Sequence, residues 1–131
     1  MIVVVDASAV LEVLLQTAAG ASMASRLLSQ DTSLHAPHLL DLEVAQVLRR
    51  FVRKGEVEPN RARQALADLL ALPLERYSHD LLVPRVWELR ENLTAYDASY
   101  VALAEILEAT LLTRDDRIRK APGHFARVEV F

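Results

Sequence analysis

The chain has 131 residues, 52% of them apolar and 25% charged, which is enough for one domain with its own core and too apolar for a disordered chain. It has no cysteine, which excludes disulfides and thiolate-held metals, and no apolar run near the roughly 20 residues that span a bilayer. A formal charge of −3, from 15 basic and 18 acidic side chains, argues against holding nucleic acid by bulk charge, so contacts with phosphate have to come from local basic clusters or from a bound metal.

Ile2–Val5 is a short β-branched run of the kind that forms a strand buried on both faces, and it ends at Asp6. The opening Met-Ile-Val-Val-Val lacks the basic start and small-residue cleavage site of a secretory leader, so a cytoplasmic protein is expected. Ser8 is placed to cap a helix over residues 9–16, with Val10, Leu11, Leu14 and Leu15 at helical spacing. Gly20 is read as its break, and a second helix is expected over 22–29. Residues 33–36 form a weaker strand candidate, closed by Pro37.

The strongest helical pattern covers residues 39–54, with Leu40, Val44, Val47, Leu48 and Phe51 as its apolar stripe. Arg49, Arg50, Arg53 and Lys54 load its last turns, where cations complement the helix dipole, and Gly55 stops it. That basic cluster is read mainly as a solvated helix end. Pro59 suits the first turn of a helix over 60–72, because its missing N–H costs nothing there. Leu74–Tyr77 is a short strand candidate.

A helix over 80–92, carrying Leu82, Val86, Trp87 and Leu89, comes next, and then one over 95–108, with Val101, Leu103, Ala104 and Leu107 inward. Thr110–Thr113 and Arg127–Val130 are the last strands. The alternation of strands and helices predicts an α/β fold, a layered sandwich on a mostly parallel sheet, in a single domain over residues 1–131.

The candidate chemistry lies in acids far apart in the sequence. Asp6 and Asp115 each follow the end of an apolar strand, and open parallel sheets bind ligands beyond such ends, where the strand order switches. Glu43 and Asp97 border the apolar stripes of their helices. Carboxylates that converge raise one another's pKa unless a cation neutralises them, and a hard, oxygen-seeking divalent ion does this well. Taken singly, Asp97 also reads as a dipole-stabilising acid, Glu43 as a partly exposed helix residue and Asp6 as a cap. The four histidines, His35, His38, His79 and His124, lack metal-ligand spacing and read as structural or surface groups.

Four segments carry a resemblance: Val3-Val4-Val5-Asp6-Ala7-Ser8-Ala9, Leu42-Glu43-Val44-Ala45-Gln46-Val47-Leu48, Tyr96-Asp97-Ala98-Ser99-Tyr100-Val101-Ala102-Leu103-Ala104 and Leu111-Leu112-Thr113-Arg114-Asp115. In order and spacing the chain resembles the PIN-domain ribonucleases, and among them the VapC-type toxins of toxin–antitoxin pairs. The resemblance implies a PIN-like three-layer α/β/α sandwich and Mg²⁺-dependent hydrolysis of RNA, with Mn²⁺ able to substitute. It implies a catalytic cluster of Asp6, Glu43, Asp97 and Asp115, the metal held by Asp6 and Asp97, and Glu43 and Asp115 serving a second metal or acting through water. Ser8 and Thr113 are implied as nearby hydroxyls. A cognate VapB-like antitoxin and a homodimer are the implied partners, and the products are a 5′-phosphate and a 3′-hydroxyl.

Asp116 follows Asp115 directly, so either is a candidate for the fourth acid. The Thr-x-Asp spacing favours Asp115 and leaves Asp116 to cap a short helix over 117–120. Arg114 and Arg117 are the candidate RNA contacts. Tyr96 is a candidate stacking platform, whereas Tyr100 reads equally well as core. A receiver-like domain fits poorly, since Asp6 stands without a paired acid and Arg114 follows Thr113. A dehalogenase-type phosphatase needs a second Asp two residues on, where Ser8 stands. The remaining alternative is a catalytically silent PIN-fold module that binds RNA or a partner protein; Leu11, Leu14 and Leu15 are a candidate dimer or antitoxin surface, although burial in the monomer core is their simpler reading.

Overall fold

The computed structural model describes residues 1–131. In chain order the elements are β1 (Ile2–Val5), α1 (Ala7–Leu14), α2 (Ala18–Leu27), β2 (Ser33–Pro37), α3 (Leu39–Arg53), α4 (Pro59–Ala71), β3 (Leu74–Tyr77), α5 (Val83–Glu88), α6 (Ala95–Leu107), β4 (Thr110–Thr113), α7 (Asp116–Lys120) and β5 (Arg127–Val130). The five strands form one sheet in the order β3-β2-β1-β4-β5, and every pairing is parallel. No single helix is long and apolar enough to cross a membrane.

Strand order fixes the layers. The chain steps from β1 to β2 to β3 in one direction, then returns past β1 to β4 and β5. Right-handed crossovers put the helices of the first two steps, α1 to α4, on one face and α5 to α7 on the other. The packing agrees: α1 lies against α2, α3 and α4, while α5 lies on α6, which covers β1, β2 and β4. This is the expected three-layer sandwich. Covered on both faces, β1 and β4 are the driest strands: Val3, Val4, Val5, Leu111, Leu112 and Thr113 are all buried.

Local departures from the sequence expectations have local causes. The first helix starts at Ala7, and its cap is Asp6, whose carboxylate accepts from Ala9 N at 3.0 Å. Ser8 is thus already helical and turns its hydroxyl onto Asp6. Gly20 does not break a helix; it lies inside α2, which Thr17 caps through Gly20 N. A Cβ there would sit 1.9 Å from the Glu12 carbonyl oxygen, so the glycine marks a close approach of α1 and α2.

The helix expected over 80–92 shrinks to Val83–Glu88. A start at residue 80 would set the Pro84 ring against the carbonyl four residues earlier, so the helix begins where Pro84 falls in its first turn. Trp87, expected on the apolar side, is 66% exposed, and the Arg90 guanidinium lies 4.6 Å from its ring centroid. At α7 the cap is Asp115, which accepts from Arg117 N, and Asp116 is the first helical residue. Leu11 and Leu14 belong to the monomer core.

Candidate active site

The switch in strand order falls between β1 and β4, and Asp6 stands at the carboxyl end of β1. Val5 pairs with Leu112, and Asp6 N continues the ladder to Leu112 O at 3.3 Å. Capping α1 holds the Asp6 carboxylate inward, where the residue is only 6% exposed.

Three groups fix that carboxylate. Oδ1 accepts from Ser8 Oγ at 2.6 Å and from Ala9 N, and Oδ2 accepts from Thr113 Oγ1. Ser8 Oγ in turn accepts from Arg114 N, Thr113 Oγ1 accepts from Asp115 N, and the two hydroxyls are 3.3 Å apart. The hydroxyls therefore join the end of β1 to the turn after β4, and Thr113 itself is fully buried. Burial raises the Asp6 pKa above its ordinary value, against the pull of these donors, and the Asp115 charge raises it further.

Glu43 is on the second turn of α3 and half-buried. Its Oε1 accepts from the hydroxyl of Tyr100 at 2.5 Å. Tyr100 is 1% exposed, and a buried phenol needs such an acceptor. Asp97 stands in the first turn of α6, whose cap Thr94 accepts from Asp97 N at 3.1 Å. Burial pushes both carboxyls up, Glu43 further through Asp97 and Asp6, and Asp97 further through Asp115 and Asp6.

Asp115 behaves differently. Its Oδ1 accepts from Arg117 Nε and Arg117 N at 3.0 Å each, and its Oδ2 from Arg117 Nη2 at 2.8 Å. This guanidinium holds the Asp115 carboxyl below the usual carboxylate range. Asp116 pairs with Lys120 and Arg119 on the exposed side of α7, and these cations lower its pKa.

The structure thus brings Asp6, Glu43, Asp97 and Asp115 near enough to feel one another, each from a different element. Asp6, Glu43 and Asp97 have no ion-pair partner, whereas Asp115 is already neutralised by Arg117. No three Asp, Glu or His side chains are close enough together to hold a metal ion between them. The set instead suits a hard ion such as Mg²⁺, which takes one or two carboxylates and keeps water and phosphate as its other ligands.

Arg114 is committed elsewhere. Its guanidinium donates to the Phe131 carbonyl, lies 5.1 Å from the Phe131 ring centroid and reaches Glu12 at 3.7 Å. The Arg49, Arg50, Arg53 and Lys54 side chains are exposed without ion-pair partners, and Arg53 lies about 15 Å from Glu43 along α3. Three histidines have structural partners: His35 joins Tyr77 to Ser33, His79 accepts from Leu39 N, and His124 bonds Ile118 O. The Tyr100–Glu43 bond is the site contact that spacing alone did not reveal, although a tyrosine three residues after Asp97 lies on the same helix face.

A parallel sheet whose switch point carries a buried aspartate among three further carboxylates defines a PIN-type fold. The PIN-domain family profile matches residues 3–124, and the chain belongs to that family, among relatives that are VapC ribonucleases. Ribonuclease VapC1 of Mycobacterium tuberculosis is 47% identical over 121 residues, 92% of this chain and 90% of that one. Ribonuclease VapC9 of the same organism is 44% identical over 116 residues, 88% of this chain and 87% of that one. Among solved structures, VapBC2 of Rickettsia felis, bound to a DNA fragment from their promoter, is similar with a TM-score of 0.72. That match covers 99% of this chain and 98% of the other at 14% identity, a likeness of fold.

Proposed function

We propose that the protein is a divalent-metal-dependent ribonuclease that hydrolyses RNA phosphodiester bonds, acting as the toxin of a cytoplasmic toxin–antitoxin pair. A VapB-like antitoxin and a second copy of the chain are its proposed partners. The observation that carries the chemistry is the Asp6 carboxylate, buried at the strand switch and held by three donors, with Glu43 and Asp97 close enough to shift in its field and none of the three in an ion pair. The relatives' names support the ribonuclease and toxin reading.

Asp6 and Asp97 would hold Mg²⁺ or Mn²⁺, with Glu43 and Asp115 at its flanks. Such an ion supplies Lewis-acid polarisation of the scissile phosphate and lowers the pKa of the attacking water. The chain's own groups do the positioning. Ser8, Thr113 and Ala9 N fix both Asp6 oxygens, so that the carboxylate needs no reorganisation during the reaction. Tyr100 fixes Glu43 through Oε1 and leaves Oε2 free. The raised affinity of Glu43 for a proton suits Oε2 to take one from water as it attacks phosphorus. The P–O3′ bond breaks, the 3′-oxygen of the upstream fragment leaves and gains a proton from solvent, and the downstream fragment keeps the phosphate on its 5′-oxygen.

The test is cleavage of RNA by the purified protein. Mg²⁺ or Mn²⁺ should support cleavage and EDTA should abolish it. Asp6→Asn and Asp97→Asn should each fall to background while circular dichroism reports an intact fold. Full activity in both folded variants would refute the assignment, and RNA binding without cleavage in any metal would favour a silent binding module.

A further inference from the structure

Of the cations around the site, Arg117 is the one whose only partner is a site carboxylate. Arg114 is held by Phe131 and Glu12, while Arg119 and Lys120 are held by Asp116. The Arg117 side chain is 89% exposed, and its guanidinium donates to no group but Asp115. It is therefore free to leave without disturbing the core. The Arg117 N–H, which the cap residue Asp115 accepts from, still holds Asp115 Oδ1 when the guanidinium departs.

We propose that Arg117 is a phosphate-responsive clamp on Asp115: its guanidinium occupies the fourth carboxylate in the free protein and exchanges it for a backbone phosphate of the substrate, which releases Asp115 to the cation site. The inference deepens the ribonuclease reading and rests on it. The exchange is physically favourable for three reasons. An ion pair this exposed is weak. The guanidinium fork matches phosphate oxygens as well as carboxylate oxygens. Asp6, Glu43 and Asp97, lacking any ion-pair partner of their own, attract a divalent ion that a fourth freed carboxylate binds more tightly.

Two consequences follow from the clamp. Arg117 opposes metal binding when no nucleic acid is present, and bound phosphate and bound metal strengthen each other by the same factor, as linkage requires. Arg117 is here a positioning residue for the metal ligand as well as a phosphate contact. Arg119, two residues away with an equal charge, pairs with Asp116 and takes no part.

The experiment is isothermal titration of the full chain with Mg²⁺ alone, for wild type, Arg117→Ala, Arg117→Lys and Arg119→Ala, each checked for an unchanged melting temperature. Arg117→Ala should bind Mg²⁺ about two- to fivefold more tightly, the range an exposed ion pair accounts for. Arg117→Lys, which cannot engage both oxygens at once, should fall between, and Arg119→Ala should match wild type. A short single-stranded DNA oligonucleotide, confirmed intact after the titration, should tighten Mg²⁺ binding in wild type and fail to do so in Arg117→Ala. Unchanged or weaker Mg²⁺ binding in Arg117→Ala, or equal tightening by Arg119→Ala, would overturn the clamp while leaving the ribonuclease reading intact. A wild-type protein that binds no Mg²⁺ and cleaves no RNA would overturn both.

Discussion

Replacing Thr113 by valine removes a hydroxyl and almost nothing else, which makes it the sharpest probe of how Asp6 is held. Thr113 is fully buried, donates to Asp6 Oδ2 and accepts from Asp115 N at 3.0 Å. The bond to the carboxylate is worth about 1.5–3 kcal/mol and the neutral one about 1 kcal/mol, so Thr113→Val should cost roughly 2–4 kcal/mol. For a chain of this length that is a fall in Tm of about 6–15 °C. Thr113→Ser keeps the hydroxyl and loses one methyl, a cost near 1 kcal/mol. Thermal melts in EDTA at neutral pH separate the two variants. In an Asp6→Asn background the valine penalty should shrink, because the charge it served is gone. If valine and serine cost the same, or if the valine penalty survives Asp6→Asn undiminished, the hydroxyl does not support the carboxylate.

Two further predictions concern pH and packing. Burial raises the pKa of Asp6, Glu43 and Asp97, so their contribution to stability is complete below the unfolded-state values and is lost as pH rises through the folded ones. In EDTA, Asp6→Asn should therefore gain on wild type in Tm between about pH 4 and pH 7.5, and Mg²⁺ at the higher pH should reverse the order; a difference independent of pH would refute this. Gly20→Ala should lower Tm strongly, by about 6 °C or more, because its Cβ meets the backbone of α1. A neutral Gly20→Ala variant would show that α1 and α2 can separate at no cost.

The strands were the most legible part of the sequence. Ile2–Val5 and Thr110–Thr113 are compact apolar runs, and in a parallel sheet covered on both faces such runs have no competing reading. Both strand-end acids followed directly from them. Helix ends were less legible, because Asp6, Ser8, Asp115 and Asp116 are all competent caps, and which one serves depends on where the preceding strand releases the chain. In each adjacent set the residue nearest the strand took the cap, so that Asp6 and Asp115 both serve as helix caps within the site. The pairing of Tyr100 with Glu43 joins residues 57 positions apart and appears only once α3 and α6 approach from opposite faces of the sheet. Gly20 looked like a break because sequence alone does not show the backbone that it lets past.

The pairing of β1 with β4 has a consequence for how the protein is made. β1 is synthesised well before β4 and waits for it, because Asp6 receives its buried hydroxyl from a residue 107 positions later. A nascent or truncated chain ending before Thr110 leaves β1 with an open edge on that side, lacks Asp115 altogether and leaves Asp6 short of a donor. The site is assembled only once β4 and the turn after it have been made, so a translation product interrupted before them carries β1 and most of the helices without a finished acidic centre.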